Sequence, residues 1–230
     1  MTMTHLYPYT HTGAQRRLRK LCASSARIAL VAIVTLVLGV PQHARAKPMP
    51  NAQEQVIARR AQEAVAALES TTILNSADRN DIFDAYLSEI AIQAANFLDV
   101  DARSMQQAWL SADLSHKRAL INGLTQLGVP YKNNAEIENV GFDCSGLVAF
   151  AWGKAGVDMT HGSTSQFASS TRVKVEDAQP GDLIWRPGHI AMYLGVQSAV
   201  LQTPYSGRSV ELQKMNERIT SWVKYANPLI

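Results

Sequence analysis

Between Asn51 and Ser115 the chain contains neither glycine nor proline, and this gap limits what the stretch can become. Without residues that break helices or seed tight turns, it must run in helices joined by short polar links. Its apolar residues agree. In "QEQVIARRAQEAVAALES", Val56, Ile57, Ala61, Ala64, Val65 and Leu68 recur at helical spacing. "NSADRNDIFDAYLSEIAIQAANFL" sets Ile82, Phe83, Tyr86, Leu87, Ile90, Ala94 and Phe97 on one side, with Ser76 or Asp78 as the expected N-cap. "DARSMQQAWLSADL" predicts a third, shorter helix, so residues 47–115 are expected as a hairpin or small bundle.

The texture changes near His116. "HKRALINGLTQLGVPY" predicts a helix stopped at Gly128, with Pro130 just beyond. "KNNAEIENVG" is polar and reads as a loop. "CSGLVAFAWGKAGV" returns to helical rhythm through Leu147, Val148, Phe150, Ala151 and Trp152. After a Ser/Thr-rich stretch at 160–171, also read as a loop, the period shortens. "GDLIWR", "HIAMYLGV", "AVLQT" and "RSVELQK" are apolar runs separated by turn residues, and they predict an antiparallel meander of about four strands. Helices first and strands afterwards give an α+β class, with residues 116–230 as its second domain.

Residues 1–46 are of another kind. Arg16, Arg17, Arg19, Lys20 and Arg27 precede the apolar run "IALVAIVTLVLGV", and Ala44-Arg45-Ala46 supplies an A-x-A cleavage site. The run falls short of the roughly 20 residues of a bilayer-spanning helix. The expectation is therefore a secretory signal peptide cut after Ala46 rather than an uncleaved anchor. Arg16-Arg17 hints at twin-arginine export, though "RRLRKL" lacks the usual surroundings of that signal. No lipid-attachment cysteine follows, so a secreted or wall-associated chain without a membrane anchor is expected. The leader holds six of the 22 basic residues and none of the 19 acidic ones, so the formal charge moves from +3 to −3 on cleavage. A nucleic-acid partner loses its electrostatic support.

Cleavage also removes Cys22 and leaves Cys144 alone. An internal disulfide is then excluded by counting, and a crosslink between chains suits a thiol ahead of an apolar helix poorly. Two readings remain: an inert buried residue, or a nucleophile. The flanks "FDCSG" are small and polar, as at a helix start, where unpaired N–H groups and the helix dipole favour a thiolate and can hold an oxyanion. A thiolate needs a base. His116 and His161 sit in polar surroundings and read as solvated, whereas His189 opens "HIAMYLG" directly after the turn "RPG". Alternation puts His189 on one strand face with Ala191 and Tyr193, and Ile190, Met192 and Leu194 on the other. A structural histidine at a strand end is the alternative. Gln202, the polar residue in "AVLQTPYSG", is the candidate for orienting the imidazole by accepting from Nδ1–H while Nε2 faces the thiol. An exposed strand-end glutamine is the competing reading. The widely separated histidines lack metal-ligand spacing, and no G-x-S-x-G elbow is present.

"FDCSGLVAFAWGKAGV", "QPGDLIW" and "GHIAMYLG", in this order and preceded by "ALINGLTQLGVPY", resemble the NlpC-type cell-wall endopeptidases, which are papain-like cysteine peptidases. The likeness covers about residues 116–226. It implies a papain-like fold, N-terminal helices on a small antiparallel sheet, and no cofactor or metal. It also implies hydrolysis of a peptidoglycan stem peptide, in many members between γ-D-glutamate and a diamino acid. Position by position, it implies Cys144 as nucleophile, His189 as base and Gln202 as the third polar residue. Five residues are implied to meet substrate: Tyr131 at the rim of the site, Asp143 and Ser145 flanking the nucleophile, and Ser163 and Gln166 where the family lines its cleft. His161 stands where an arginine is frequent, and "KNNAEIENVG" replaces a glycine-rich stretch. A non-catalytic wall-binding protein on this scaffold and a papain-like amidase or acyltransferase are the rivals. The helical segment carries −6 (four basic, ten acidic) against +2 for residues 116–230 (eleven basic, nine acidic). It reads as an inhibitory screen, a docking element or a spacer. Oligomeric state is not legible.

Overall fold

Asn51 starts the first helix with a capping box: its Oδ1 accepts from Gln53 N–H at 2.9 Å, and its own N–H donates to Glu54 Oε2 at 3.3 Å. The computed structural model describes residues 51–70 and 76–229; the expected leader lies outside them. Three helices come first, α1 (Ala52–Glu69), α2 (Ser76–Leu98) and α3 (Ala102–Ser111), the last capped by Asp101. Ser76 and Asp78, the expected caps of the second helix, fall inside α2. Then come α4 (Leu114–Leu124), a two-stranded ribbon of β1 (Glu136–Ile137) and β2 (Gly141–Phe142), α5 (Cys144–Lys154) and α6 (Ser163–Ser169). β3 (Thr171–Val173), β4 (Leu183–Arg186), β5 (His189–Tyr193), β6 (Ala199–Gln202), β7 (Glu211–Lys214), the short α7 (Glu217–Thr220) and β8 (Lys224–Asn227) complete the chain. No helix among the described residues is long and apolar enough to cross a membrane.

The sheet has six antiparallel strands in the order β3-β8-β4-β5-β6-β7. The expected four-strand meander is its β4–β7 portion. β3 and β8 escaped notice because each is short and held by pairing to strands distant in sequence. The Ser/Thr-rich stretch is not a loop throughout, since α6 lies within it. Gln166 N–H reaches Gly162 O at 2.9 Å to close its first turn, and the ring of Phe167 stacks on Trp185 at 4.6 Å.

Strand alternation divides the sheet as expected. Ile190, Met192, Leu194 and Leu201 face the main core with α4 and α5, whereas Ile184, Ala191, Tyr193 and Val200 form a smaller cluster on the other face. The main core also takes in the first three helices. Ile57, Phe83, Leu87, Ile90, Met105 and Trp109 are fully buried within it. Trp109 Nε1–H donates to Leu194 O on the sheet side at 2.9 Å, and Lys117 of α4 bonds Asp84 of α2 at 2.9 Å. β7 is an edge strand, and its Leu212 N–H donates to Glu54 Oε1 of α1 at 3.0 Å. A free sheet edge is thereby closed by a side chain. All described residues lie in one compact unit, and its core runs through the boundary expected at residue 115.

His116, read as solvated, is fully buried. Its Nε2 lies 2.9 Å from Asp182 Oδ1, and its ring meets Trp152 edge-on at 5.0 Å. The pair pins the start of α4 to the turn leading into β4, because a buried polar group requires a partner.

Candidate active site

Cys144 is the first residue of α5, and the residue before it makes the helix start there. Asp143 Oδ1 accepts from Gly146 N–H at 2.7 Å and from Ser145 Oγ–H at 3.0 Å, while Oδ2 accepts from Asn134 N–H at 3.0 Å. His161, also read as solvated, places Nε2 at 2.9 Å from both oxygens of the same carboxylate. Burial alone would raise the pKa of Asp143, but the bonds donated by Gly146, His161 and Ser145 outweigh it and hold the carboxyl below its usual range. The glycine at 146 is obligatory: a Cβ there would lie 2.0 Å from Ala135 O, the carbonyl that accepts from Asp143 N–H at 2.9 Å.

These bonds assign new work to three residues expected to meet substrate. The Asp143 carboxylate and the Ser145 hydroxyl are taken up in capping α5. Gln166 is fully buried, and its Nε2–H donates to Ser145 O at 2.8 Å, so it braces the first turn of α5 from behind. Thr203 Oγ1–H adds a bond to Asp143 O at 3.0 Å. Ser163 is half-buried at the start of α6. Tyr131 lies close enough to Asp143 and Cys144 for their charges, after burial, to raise its pKa.

The thiol itself departs from expectation. Burial raises its pKa above the ordinary value. The N–H of Ile190 acts against that, Asp143 adds to it, and the N–H groups of Ser145 and Cys144 act against it again. Desolvation therefore works against the helix terminus, which on its own would favour the thiolate. Ile190 immediately follows His189. The structure thus brings Cys144 to the start of β5, although among the described residues no hydrogen bond joins thiol and imidazole directly.

His189 arrives there through a two-residue turn, with Arg186 and His189 as its last pair and Gly188 at φ +78°. Its Nε2 lies 2.9 Å from Gln202 Oε1, so the ring nitrogen that meets Gln202 is the opposite of the one expected. A glutamine oxygen only accepts, so Nε2 carries the proton and Nδ1 keeps the lone pair in the neutral ring. Burial lowers the pKa of His189; Gln202 resists this and the charge of Arg186 adds to it. Burial thus pushes both groups toward their neutral forms. Iodoacetamide labelling of Cys144 is therefore expected to be slow below pH 7 and to rise steeply toward alkaline pH. Catalysis that needs neutral His189 is expected to gain its rate with a midpoint below 6.5. Rapid labelling at pH 6 would contradict the resting state described.

Among the described residues there is no group of acids, histidines and cysteines able to hold a metal. A cavity of about 740 Å³ lined by Arg172, Met215, Tyr225 and neighbours contains none of the candidate residues.

Residues 128–226 match the NlpC/P60 family. The matched segment contains Cys144, His189 and Gln202. The chain is 32% identical to the peptidoglycan endopeptidase RipA of Mycolicibacterium smegmatis over 124 residues, 47% of this chain and 24% of that protein. It is 30% identical to a γ-DL-glutamyl hydrolase of Bacillus subtilis, over 42% of this chain and 25% of that protein. It is 29% identical to a probable endopeptidase of Corynebacterium glutamicum over 163 residues, 67% of this chain and 76% of that protein. The chain thus spans about a quarter of the first two relatives. The first of these relatives is named for peptidoglycan endopeptidase activity, and the α+β architecture found here is the one expected.

Proposed function

We propose that residues 128–226 form an NlpC/P60 domain that hydrolyses a peptide bond of the peptidoglycan stem peptide through Cys144 and His189. One observation carries the reading: Cys144 opens α5 within reach of the Ile190 N–H at the start of β5, and Gln202 holds the ring of His189, the residue just before Ile190. As the sulfur attacks the carbonyl carbon, the thiol proton passes to His189 Nδ1 and the C–S bond forms. The carbonyl oxygen takes the negative charge, and backbone N–H groups at the start of α5 hold it. The imidazolium returns its proton to the leaving nitrogen as the C–N bond breaks. His189 then takes a proton from water, the resulting hydroxide attacks the thioester, and the released sulfur recovers a proton from the ring.

The relatives named for peptidoglycan endopeptidase and γ-DL-glutamyl hydrolase activity support the bond between γ-D-glutamate and a diamino acid. Export through a leader ending at Ala46 agrees with a substrate in the wall, and no cofactor enters any step. The burial of Cys144, which works against its thiolate, favours the rival, a domain that binds wall peptides without cutting them.

Digesting purified peptidoglycan and identifying the new ends by mass spectrometry separates the readings. The expected products are a new free amine on the diamino acid and a new carboxyl on D-glutamate. A free lactyl carboxyl on the sugar, paired with a new amine on the first stem residue, would indicate amidase chemistry, and unchanged peptidoglycan that still sediments with the protein would indicate binding alone.

A further inference from the structure

Behind Gln202 stands a carboxylate that the proposed mechanism has not used. Gln202 and Glu211 face each other across β6 and β7. Glu211 is 7% exposed, and its Oε2 accepts from Arg208 Nε at 2.9 Å and Nη2 at 2.6 Å. Burial raises its pKa, with Arg208 acting against it. The Gln202 amide also favours the charged carboxylate, yet Glu211 Oε1 is buried without a hydrogen-bond partner, so this contact is electrostatic rather than a formed bond. The Nε2–H of Gln202 donates to Gln213 Oε1.

Polarity along this row matters. Arginine only donates and an ionised glutamate only accepts, whereas a glutamine amide can be turned either way. Gln213 is an exposed amide and can turn with its neighbour. Of the groups around Gln202 on β7, Glu211 alone has fixed polarity. It draws the N–H end of Gln202 toward β7 and leaves Oε1 for His189. Were Gln202 reversed, its N–H would face His189 Nε2, the ring proton would move to Nδ1, and the nitrogen needed as base would be lost.

We propose that Glu211 is a positioning residue that sets the tautomer of His189 through Gln202. The inference rests on the proposed role of His189 as base. Its structural content, an Nε2–H tautomer held by a carboxylate two side chains away, can be read without any activity.

The test uses the purified protein and two variants. In ¹⁵N spectra of the His189 ring, the wild type is expected to show the Nε2–H tautomer and Glu211→Gln a mixture. Cleavage by Glu211→Gln is expected to fall about tenfold in kcat, the size of one hydrogen bond, with KM nearly unchanged. The double variant Gln202→Glu/Glu211→Gln is expected to recover most of the loss, because the carboxylate placed at 202 accepts from His189 and receives an N–H from the new amide. If Glu211 served only to anchor Arg208, both variants would be equally impaired. An Nδ1–H tautomer in the wild type, an unchanged kcat in Glu211→Gln, or a double variant no better than the single one would each overturn the proposal. Should Glu211→Gln fail to fold, the wild-type spectrum decides. A wild type inactive on peptidoglycan would refute the hydrolase reading and leave the tautomer measurement standing.

Discussion

Cys144→Ala is expected to reduce peptidoglycan cleavage to background, a loss of roughly 10⁴-fold or more, as for removal of a covalent nucleophile elsewhere. No other described group stands ready to replace the sulfur. Cys144 is the one free cysteine among the described residues, and the neighbouring hydroxyl, Ser145, is committed to Asp143. The fold is expected to survive. The bonds that shape the start of α5 come from the Asp143 side chain, the Gly146 N–H and the Ser145 carbonyl, and none needs the thiol. Loss of a small, partly buried thiol, with hydrogen in its place on Cβ, is expected to change stability by about 1 kcal/mol. Muropeptide chromatography reads the first outcome and thermal unfolding the second. Retained cleavage by a folded Cys144→Ala protein would refute the nucleophile assignment.

A shortened chain, Ser115–Ile230, is expected not to fold. Removing α1–α3 takes Phe83, Leu87, Ile90, Met105 and Trp109 out of a core they share with α4, α5 and the sheet. At about 1.5–3 kcal/mol for each buried side chain, the loss rivals the whole margin of about 5–15 kcal/mol that keeps a domain folded. The shortened chain would also leave Leu194 O without Trp109 and the Leu212 N–H of the edge strand without Glu54. By circular dichroism and dye binding it is expected to lack fixed tertiary packing, while the longer protein melts in one transition. This picture treats the helices as part of the fold rather than as a spacer or removable screen. A shortened chain that folds normally and cuts faster would restore the inhibitory reading.

The parts legible in the sequence were those written in local rhythm. The helix faces of α1 and α2, the helical run after Cys144, and the alternation that separates Ala191 and Tyr193 from Ile190 and Met192 all follow from spacing. The tight turn delivering His189 was announced by Pro187-Gly188. What stayed hidden depends on contacts between distant positions. His116 and His161 looked solvated because their neighbours are polar, yet Asp182 and Asp143, respectively 66 and 18 positions away, hold them. Gln166 gave no sign that it would turn inward to Ser145. The sequence shows that Cys144 stands at a helix terminus but not how far burial works against its thiolate. The His189 nitrogen that meets Gln202 depends on side-chain placement across two strands, which spacing does not encode.

The most direct test of a Cys144 nucleophile is titration with iodoacetamide at alkaline pH, measuring modification of Cys144 by peptide mapping and residual cleavage in the same samples. The account expects activity to fall in proportion to labelled Cys144 and to vanish when labelling is complete. Full labelling of Cys144 with undiminished cleavage would contradict it.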